Sequence, residues 1–373
     1  MNVPLAIPTL CESDIALAVE VLRSGQLVQG KKVQLLEGQF ANFFKVTQTT
    51  LVANGTASLH LALLAAGIGP GDEVIVPAFS YVATANVVEV VGAKPVFVDI
   101  DIDTLNIDPA QLETAMNPRV KAIIPVHEFG MPAPMDAIMS FAGKYSLTVI
   151  EDAACALGAM FNGQYVGCFG DYGSFSMHPR KNITSGEGGL LIVRDPAKDE
   201  LIRQLRNHGI STASGKPEFL SAGFNYRMTD FQAALLVGQL SRIHEIEEKR
   251  IAIASLYDRS LQHSLLRKPY QSVDWKKYKT VWQSYHIVLD DKVNRDEVIT
   301  RLAAAGVGSN YGAQCIPALP YYLEKYPVNA GKVYPQAYKA YRQGLVLPLY
   351  DKMTHDDVNY VITTVQQIVN DIK

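Results

Sequence analysis

From residue 49 the chain alternates two kinds of apolar pattern. Short, nearly continuous apolar runs, "TTLVAN", "DEVIVPAF", "KPVFVDI" and "VKAIIPVH", are followed in turn by "TASLHLALLAAG", "YVATANVVEVVG", "PAQLETAM" and "PMDAIMSFAGKY", and a fifth run, "LTVIEDAA", comes next. A short apolar run of this kind predicts a strand buried on both faces, and apolar positions three and four apart predict a helix with one covered face. Their alternation predicts an α/β domain with a mainly parallel sheet between helices. The next two runs, "YGSFSMH" and "GGLLIVRD", are joined by a loop and no helix, which predicts an antiparallel member of the same sheet. One long amphipathic helix is expected over about 229–260. Beyond it strand and helix mix, from "QSYHIVL" to the closing "THDDVNYVITTVQQIVNDI". The expected organisation is a large domain over 1–250 and a smaller C-terminal α+β domain over 251–373. A chain of 373 residues exceeds the roughly 250–300 at which a single core stops growing.

Composition narrows the class of function. Hydrophobic residues make up 48% and charged ones 19%, the balance of a globular enzyme. A net charge of −3 without blocks of one sign argues against a nucleic-acid surface or a polybasic membrane anchor. Cys11, Cys155, Cys168 and Cys315 are scattered without C-x-x-C spacing, so they read as reduced thiols and not as a zinc site or disulfide framework. The N-terminal "MNVPLAIPTLCESD" lacks a charged segment followed by an apolar one, and no apolar run reaches spanning length, so a cytoplasmic protein is expected.

Several motifs carry candidate chemistry. In "VANGTASLHLAL", Gly55 allows a tight turn, and Thr56, Ala57 and Ser58 open a helix whose free N–H groups suit either a phosphate or an ordinary cap. Glu151 and Asp152 end a strand at the sheet edge where α/β proteins place ligands. Asp152 there reads as a general base, a metal ligand, a counter-charge to a cationic atom or a helix cap. Tyr81 follows a strand and suits either a flat ligand or the core. His178 suits proton transfer, substrate contact or packing. Lys181 stands alone in "SMHPRKNITSGEGG". Calcium is not expected in "FVDIDIDTLNIDP", because an EF-hand from Asp99 needs Gly and Glu where Thr104 and Ala110 stand. "GIGPGD" follows a helix and lacks dinucleotide spacing, which rejects a Rossmann reading. No metal ligands are expected. A phosphate cradle, an acid, an aromatic plate and a lone lysine are together the parts that pyridoxal phosphate requires.

The chain resembles the sugar aminotransferases of the DegT/DnrJ/EryC1/StrS family, with fold type I of the pyridoxal phosphate enzymes. The likeness covers almost its whole length, through "GKKVQLLEGQFANFF", "ANGTASLHLAL", "PAFSYVATANVV", "GAKPVFVDIDIDTLNIDP", "VIEDAACALGA", "GSFSMHPRKNITSGEGG", "GFNYRMTDFQAAL" and "LPYY" in that family's order. The resemblance implies that Lys181 binds the cofactor covalently, Asp152 pairs with its ring nitrogen and Tyr81 stacks on the ring. It implies further that Gly55, Thr56, Ala57 and Ser176 hold the phosphate, with Asn225 supplied by the other subunit of a homodimer. The implied reaction moves an amino group, with L-glutamate as donor, onto a nucleotide-linked keto-deoxysugar for a surface glycan such as the lipopolysaccharide O-antigen.

Three departures qualify the likeness. Cys155 stands where many members have Gln or His to bond the cofactor's phenolic oxygen, and a thiol is a weaker hydrogen-bonding group. Pro317 takes the place of a frequent His before the tyrosine pair. The segment 211–228, "STASGKPEFLSAGFNYRM", is short and reshapes the mouth of the site. Two other readings stay open. A pyridoxamine-dependent sugar dehydratase is disfavoured because those members carry His in place of the lysine, and a non-catalytic regulatory protein is disfavoured by the full cofactor set. Nucleotide-sugar contacts are sought in "GQLVQGKKV", His178, Arg180 and "GSNYGAQ".

Overall fold

A computed structural model of the chain describes residues 1–212 and 214–372. Seven strands form the main sheet, in the spatial order Thr49–Val52, Gly189–Val193, Tyr172–Ser176, Thr148–Asp152, Val120–Ile123, Glu73–Pro77 and Lys94–Val98. Gly189–Val193 runs antiparallel to both its neighbours, and the remaining adjacent pairs are parallel. The sheet is therefore the mainly parallel one expected, with its antiparallel member after the lysine loop.

The apolar runs are continuous because the pleat sends alternate residues into two different cores. Val74, Val76, Ile150 and Leu191 meet Leu59, Leu61, Val87 and Ile202 on one face. On the other face, Leu51, Phe175, Leu190 and Ile192 meet Val33, Phe40, Ala156 and Leu236. Further along that sheet, Ile75, Ile123 and Val149 meet Ile138 and Phe141. A second sheet joins Leu266–Arg267, Tyr285–Leu289 and Gly344–Leu347. It shares a core with Tyr257 and with Val361 and Val365 of the closing helix, His355–Asp371. Val3 belongs to that core and bridges to Val307, which ties the first residues of the chain to its C-terminal part.

The single helix expected over about 229–260 is two helices, Asp230–Ser241 and Ile243–Ser260. Arg242 sits between them at φ −106°, ψ 11°. Its guanidinium donates to the carbonyl of Gly238 at 3.0 Å and to Asp14 Oδ2 at 2.7 Å, so a partner 228 residues away fixes the bend. Among the described residues no helix is long and apolar enough to cross a membrane.

Candidate active site

Parallel strands deliver their carboxyl ends to one edge, and the residues singled out in the sequence gather there. Asp152 ends the strand Thr148–Asp152 and Ser176 ends Tyr172–Ser176, with Asp152 paired in register with Ser174. Neighbouring acids on one strand face opposite ways, and Glu151 and Asp152 accordingly have different partners. Glu151 is fully buried and accepts from the backbone N–H groups of Gly167, Phe169 and Gly170 at 2.7–2.8 Å. It also faces His127 Nε2 at 3.0 Å. Because His127 Nδ1 accepts from the N–H of Ala133, the neutral ring carries its proton on Nε2, towards Glu151. Glu151 is thus an anchor for the 167–170 loop.

Asp152 is 5% exposed. Thr84 Oγ1 donates to its Oδ2 at 2.8 Å and the N–H of Ala154 donates to its Oδ1 at 3.2 Å. Burial raises its carboxyl above the usual range, against these bonds and the nearby charge of Lys181.

Lys181 lies in the loop between two antiparallel strands, and that loop is pinned on several sides. Its N–H donates to the carbonyl of His178 at 2.8 Å. Gln283 Nε2 donates to the carbonyl of Arg180 at 2.7 Å. Gln239 clamps Thr184 from the helix Asp230–Ser241, accepting from its N–H and donating to its carbonyl. The half-buried Lys181 Nζ donates to Cys155 Sγ at 2.9 Å. Burial pushes the Cys155 thiol up, and Lys181 pulls it the other way.

Gly55 opens the helix Gly55–Ala65, with Asn54 Oδ1 accepting from the N–H of Ala57 at 2.8 Å. A Cβ on Gly55 would stand 2.9 Å from the Cβ of Ser176, so the missing side chain lets the strand end close on the helix start. Thr56 is exposed at that first turn. The ring of Tyr81 is 64% exposed, just after the strand Phe79–Ser80. His178 is half-buried, its Nδ1 accepts from the N–H of Arg180 at 3.3 Å, and burial lowers its basicity.

Asn225 stands apart. Its exposed side chain accepts from Arg227 Nε at 2.9 Å, on a segment that runs along the edge of the strand Thr49–Val52. No contact among the described residues joins it to Lys181 within one chain. Pro317 is buried in the turn Ile316–Ala318 and has no donor to offer a substrate. Residue 213, within the short segment 211–228, lies outside the described residues. "GQLVQGKKV" includes a helix start capped by Asp230, whose carboxylate accepts from the N–H groups of Gly30, Lys32 and Val33. In "GSNYGAQ", Asn310 Oδ1 accepts from the N–H of Gly312, and Tyr311 lies 5.7 Å under the Arg295 guanidinium.

Two residues at the site escaped sequence reading. Thr84 is the second residue of the helix Ala83–Val90, which follows Tyr81. Glu128 is 4% exposed beside Asp152 and Lys181. The one local signal for Glu128 is an acid standing inside the otherwise apolar stretch "AIIPVHEFGMPAPM".

Residues 8–366 match the DegT/DnrJ/EryC1/StrS aminotransferase family. The chain belongs to that family. It is 38% identical over 380 residues to the spore coat polysaccharide biosynthesis protein SpsC of Bacillus subtilis, covering 98% of this chain and 97% of that one. Among solved structures, Spr1654 of Streptococcus pneumoniae in its pyridoxal phosphate form matches with a TM-score of 0.93 at 29% identity, over 100% of both chains. Its pyridoxamine phosphate form matches with the same TM-score. Helicobacter pylori PseC, an aminotransferase of pseudoaminic acid biosynthesis, matches with a TM-score of 0.92 at 26% identity, again over 100% of both chains.

Pyridoxal phosphate is accordingly the cofactor of this aminotransferase, and the residues present fit it. The close approach of Ser176 to the start of the helix Gly55–Ala65 makes a cradle for an anion. An amine and a buried acid at one edge are the donor set for an aldehyde and a ring nitrogen.

Proposed function

We propose that this aminotransferase moves an amino group from an amino acid, L-glutamate, to a keto-deoxysugar carried on a nucleotide. The observation that carries the site reading is the placement of Lys181 Nζ against Cys155 with Asp152 buried behind them. The names of SpsC and PseC support a sugar acceptor destined for a polysaccharide or an amino sugar. The bound cofactor supplies a covalent anchor for amines and a ring that withdraws electrons.

Lys181 Nζ would hold the cofactor covalently and, as a free amine, would serve as the base that takes the proton from the donor's α-carbon and as the acid that returns it on the far side of the donor nitrogen. Asp152 keeps the ring nitrogen cationic, since an adjacent opposite charge favours the protonated form and relieves the cost of burying the carboxylate. Cys155 gives the phenolic oxygen a weak partner. Ser176, Thr56, Ala57 and the turn at Gly55 would hold the phosphate. Tyr81 covers the ring, and His178 and Arg180 lie beside Lys181 for the substrate.

The exposure of Asn225, away from the Lys181 of its own chain, supports a homodimer in which it completes the partner's site. The test loads the protein with pyridoxamine phosphate and offers nucleotide-linked keto sugars beside free keto acids. Return of the pyridoxal spectrum with an amino sugar product only from the former is expected. Turnover of simple keto acids alone refutes the acceptor.

A further inference from the structure

Lys181 follows a peptide group whose two polar ends are both tied, and one of the ties comes from the C-terminal part of the chain. The peptide joining Arg180 to Lys181 is a rigid plane. Its N–H, which belongs to Lys181, donates to the carbonyl of His178 at 2.8 Å. Its carbonyl, which belongs to Arg180, accepts from Gln283 Nε2 at 2.7 Å. The first bond closes within the lysine loop and travels with it. The second reaches 103 residues along the chain, to the segment just before the strand Tyr285–Leu289, and holds the plane against the rest of the protein. On the far side of Lys181 the loop is held by Gln239 at Thr184.

Gln283 is itself held from several directions. It is 7% exposed. Its backbone N–H donates to the carbonyl of Phe129 at 3.0 Å, its Oε1 accepts from Ser284 Oγ at 3.0 Å, and its carbonyl accepts from the buried Arg250 at 3.4 Å. With Oε1 committed to the Ser284 hydroxyl, the NH2 end faces Arg180, as a carbonyl partner requires. Trp282, just before it, has a left-handed backbone at φ 49°. Such a conformation in a residue other than glycine persists where its surroundings enforce it. Here the Trp282 N–H donates to Thr280 Oγ1 at 3.3 Å, Thr280 Oγ1 donates to the carbonyl of Gly130 at 2.9 Å, and the Trp282 ring stacks on Tyr285 with centroids 5.5 Å apart. A Cβ on Gly130 would stand 3.1 Å from both the Gln283 nitrogen and the Cys155 carbonyl oxygen. One turn therefore spaces Gln283 from the loop that carries Cys155, the residue that Lys181 Nζ meets.

We propose that Gln283 is a positioning residue for Lys181: by holding the Arg180 carbonyl it fixes the peptide plane before the lysine and so aims Nζ at the site. The proposal rests on the role given to Lys181 above. A long side chain magnifies a small turn of its backbone into a displacement of its amine, and a misplacement of about 1 Å costs about a hundredfold in rate. Gln283 acts through the peptide and not on the reacting atoms.

Gln283→Met keeps the length of the side chain and removes the donor. In the apoprotein, hydrogen exchange read by mass spectrometry is expected to quicken about tenfold over 178–182, the scale of one buried bond left unmade, while the strands of the main sheet keep their protection. Attachment of the cofactor is timed by mixing apoprotein with pyridoxal phosphate, quenching with borohydride and mapping the label. The label on Lys181 is expected to appear about tenfold more slowly in the variant, and kcat to fall by a similar factor with KM changed little. A residue that served stability alone would lower Tm and leave the labelling rate as it was.

Uniform quickening of exchange, or labelling of Lys181 at the unsubstituted rate, overturns the proposal. If the variant does not fold, the unsubstituted apoprotein decides. In denaturant below the unfolding transition, 178–182 and 281–285 should lose protection together, and earlier loss over 178–182 overturns the clamp. A label on another lysine sinks the site reading instead, whatever the exchange shows.

Discussion

Replacing Gly55 by alanine measures how closely the cradle is built. The added carbon would lie 2.9 Å from the Ser176 Cβ and 3.5 Å from both the Phe175 carbonyl oxygen and the Ser176 Cα. Carbon atoms rest about 3.5–4.0 Å apart, so the strand end and the helix start must separate by roughly 0.6–1 Å. Neither side gives easily. Ser176 is in register with Gly189, and a Cβ on Gly189 would meet the carbonyl oxygen of Asn54 at 2.4 Å, so the backbones are close-packed across the same junction. Overpacking of this kind costs about 1–3 kcal/mol. At about 2–4 °C per kcal/mol, the Tm of the apoprotein should fall by roughly 2–12 °C. Movement of Ser176 away from the helix also opens the anion cradle. If the bound state carries that same cost again, the cofactor Kd rises about 5- to 150-fold. Thermal denaturation of the apoprotein and absorbance titration with pyridoxal phosphate read the two effects separately. An unchanged Tm refutes the tight junction. A lowered Tm with unchanged Kd refutes the phosphate site at Gly55 and Ser176.

Lys181→Ala should abolish amino transfer while the cofactor still binds, and borohydride treatment of the unsubstituted protein should fix the label to Lys181 in a peptide map. Mixing Lys181→Ala chains with inactive Asn225→Ala chains should restore part of the activity, because one site of each heterodimer is intact; no recovery in demonstrated heterodimers argues against a shared site. Arg206, 3% exposed, donates to Glu37 Oε1 at 2.9 Å and to the carbonyl of Leu51 at 2.6 Å. Arg206→Met should therefore cost about 1–3 kcal/mol in denaturant unfolding, because the Leu51 carbonyl loses this donor while Glu37 keeps Arg203 at 2.9 Å. Glu128 is raised from the ordinary 4.5 to about 8, so the folded apoprotein keeps a proton that the unfolded chain releases. Its contribution is full below about 4.5 and is lost as pH rises through about 8. Denaturant midpoints of the apoprotein should fall over that range relative to Glu128→Gln, and parallel curves would contradict the raised value.

The sheet and its polarity were legible in the sequence because strand and helix patterns are local. Val74, Ile75 and Val76 announce a strand covered on both sides without reference to any distant residue. The positions of Lys181 in a loop between strands and of Asp152 at a strand end were equally legible, because both follow from the local pattern. Contacts between remote segments carry no such period. Asp230 caps a helix about 200 residues earlier in the chain, and Arg242 breaks its own helix because Asp14 waits beside it. "ED" at 151–152 names two acids but not their duties. The loop 167–170 takes Glu151 as its anchor, while Thr84 and Lys181 face Asp152. Glu128 belongs wholly to the tertiary structure. A lone acid in an apolar stretch has no defined state until folding removes its water and sets Asp152, Lys181 and Ser80 around it, and that surrounding field then decides whether it holds a proton.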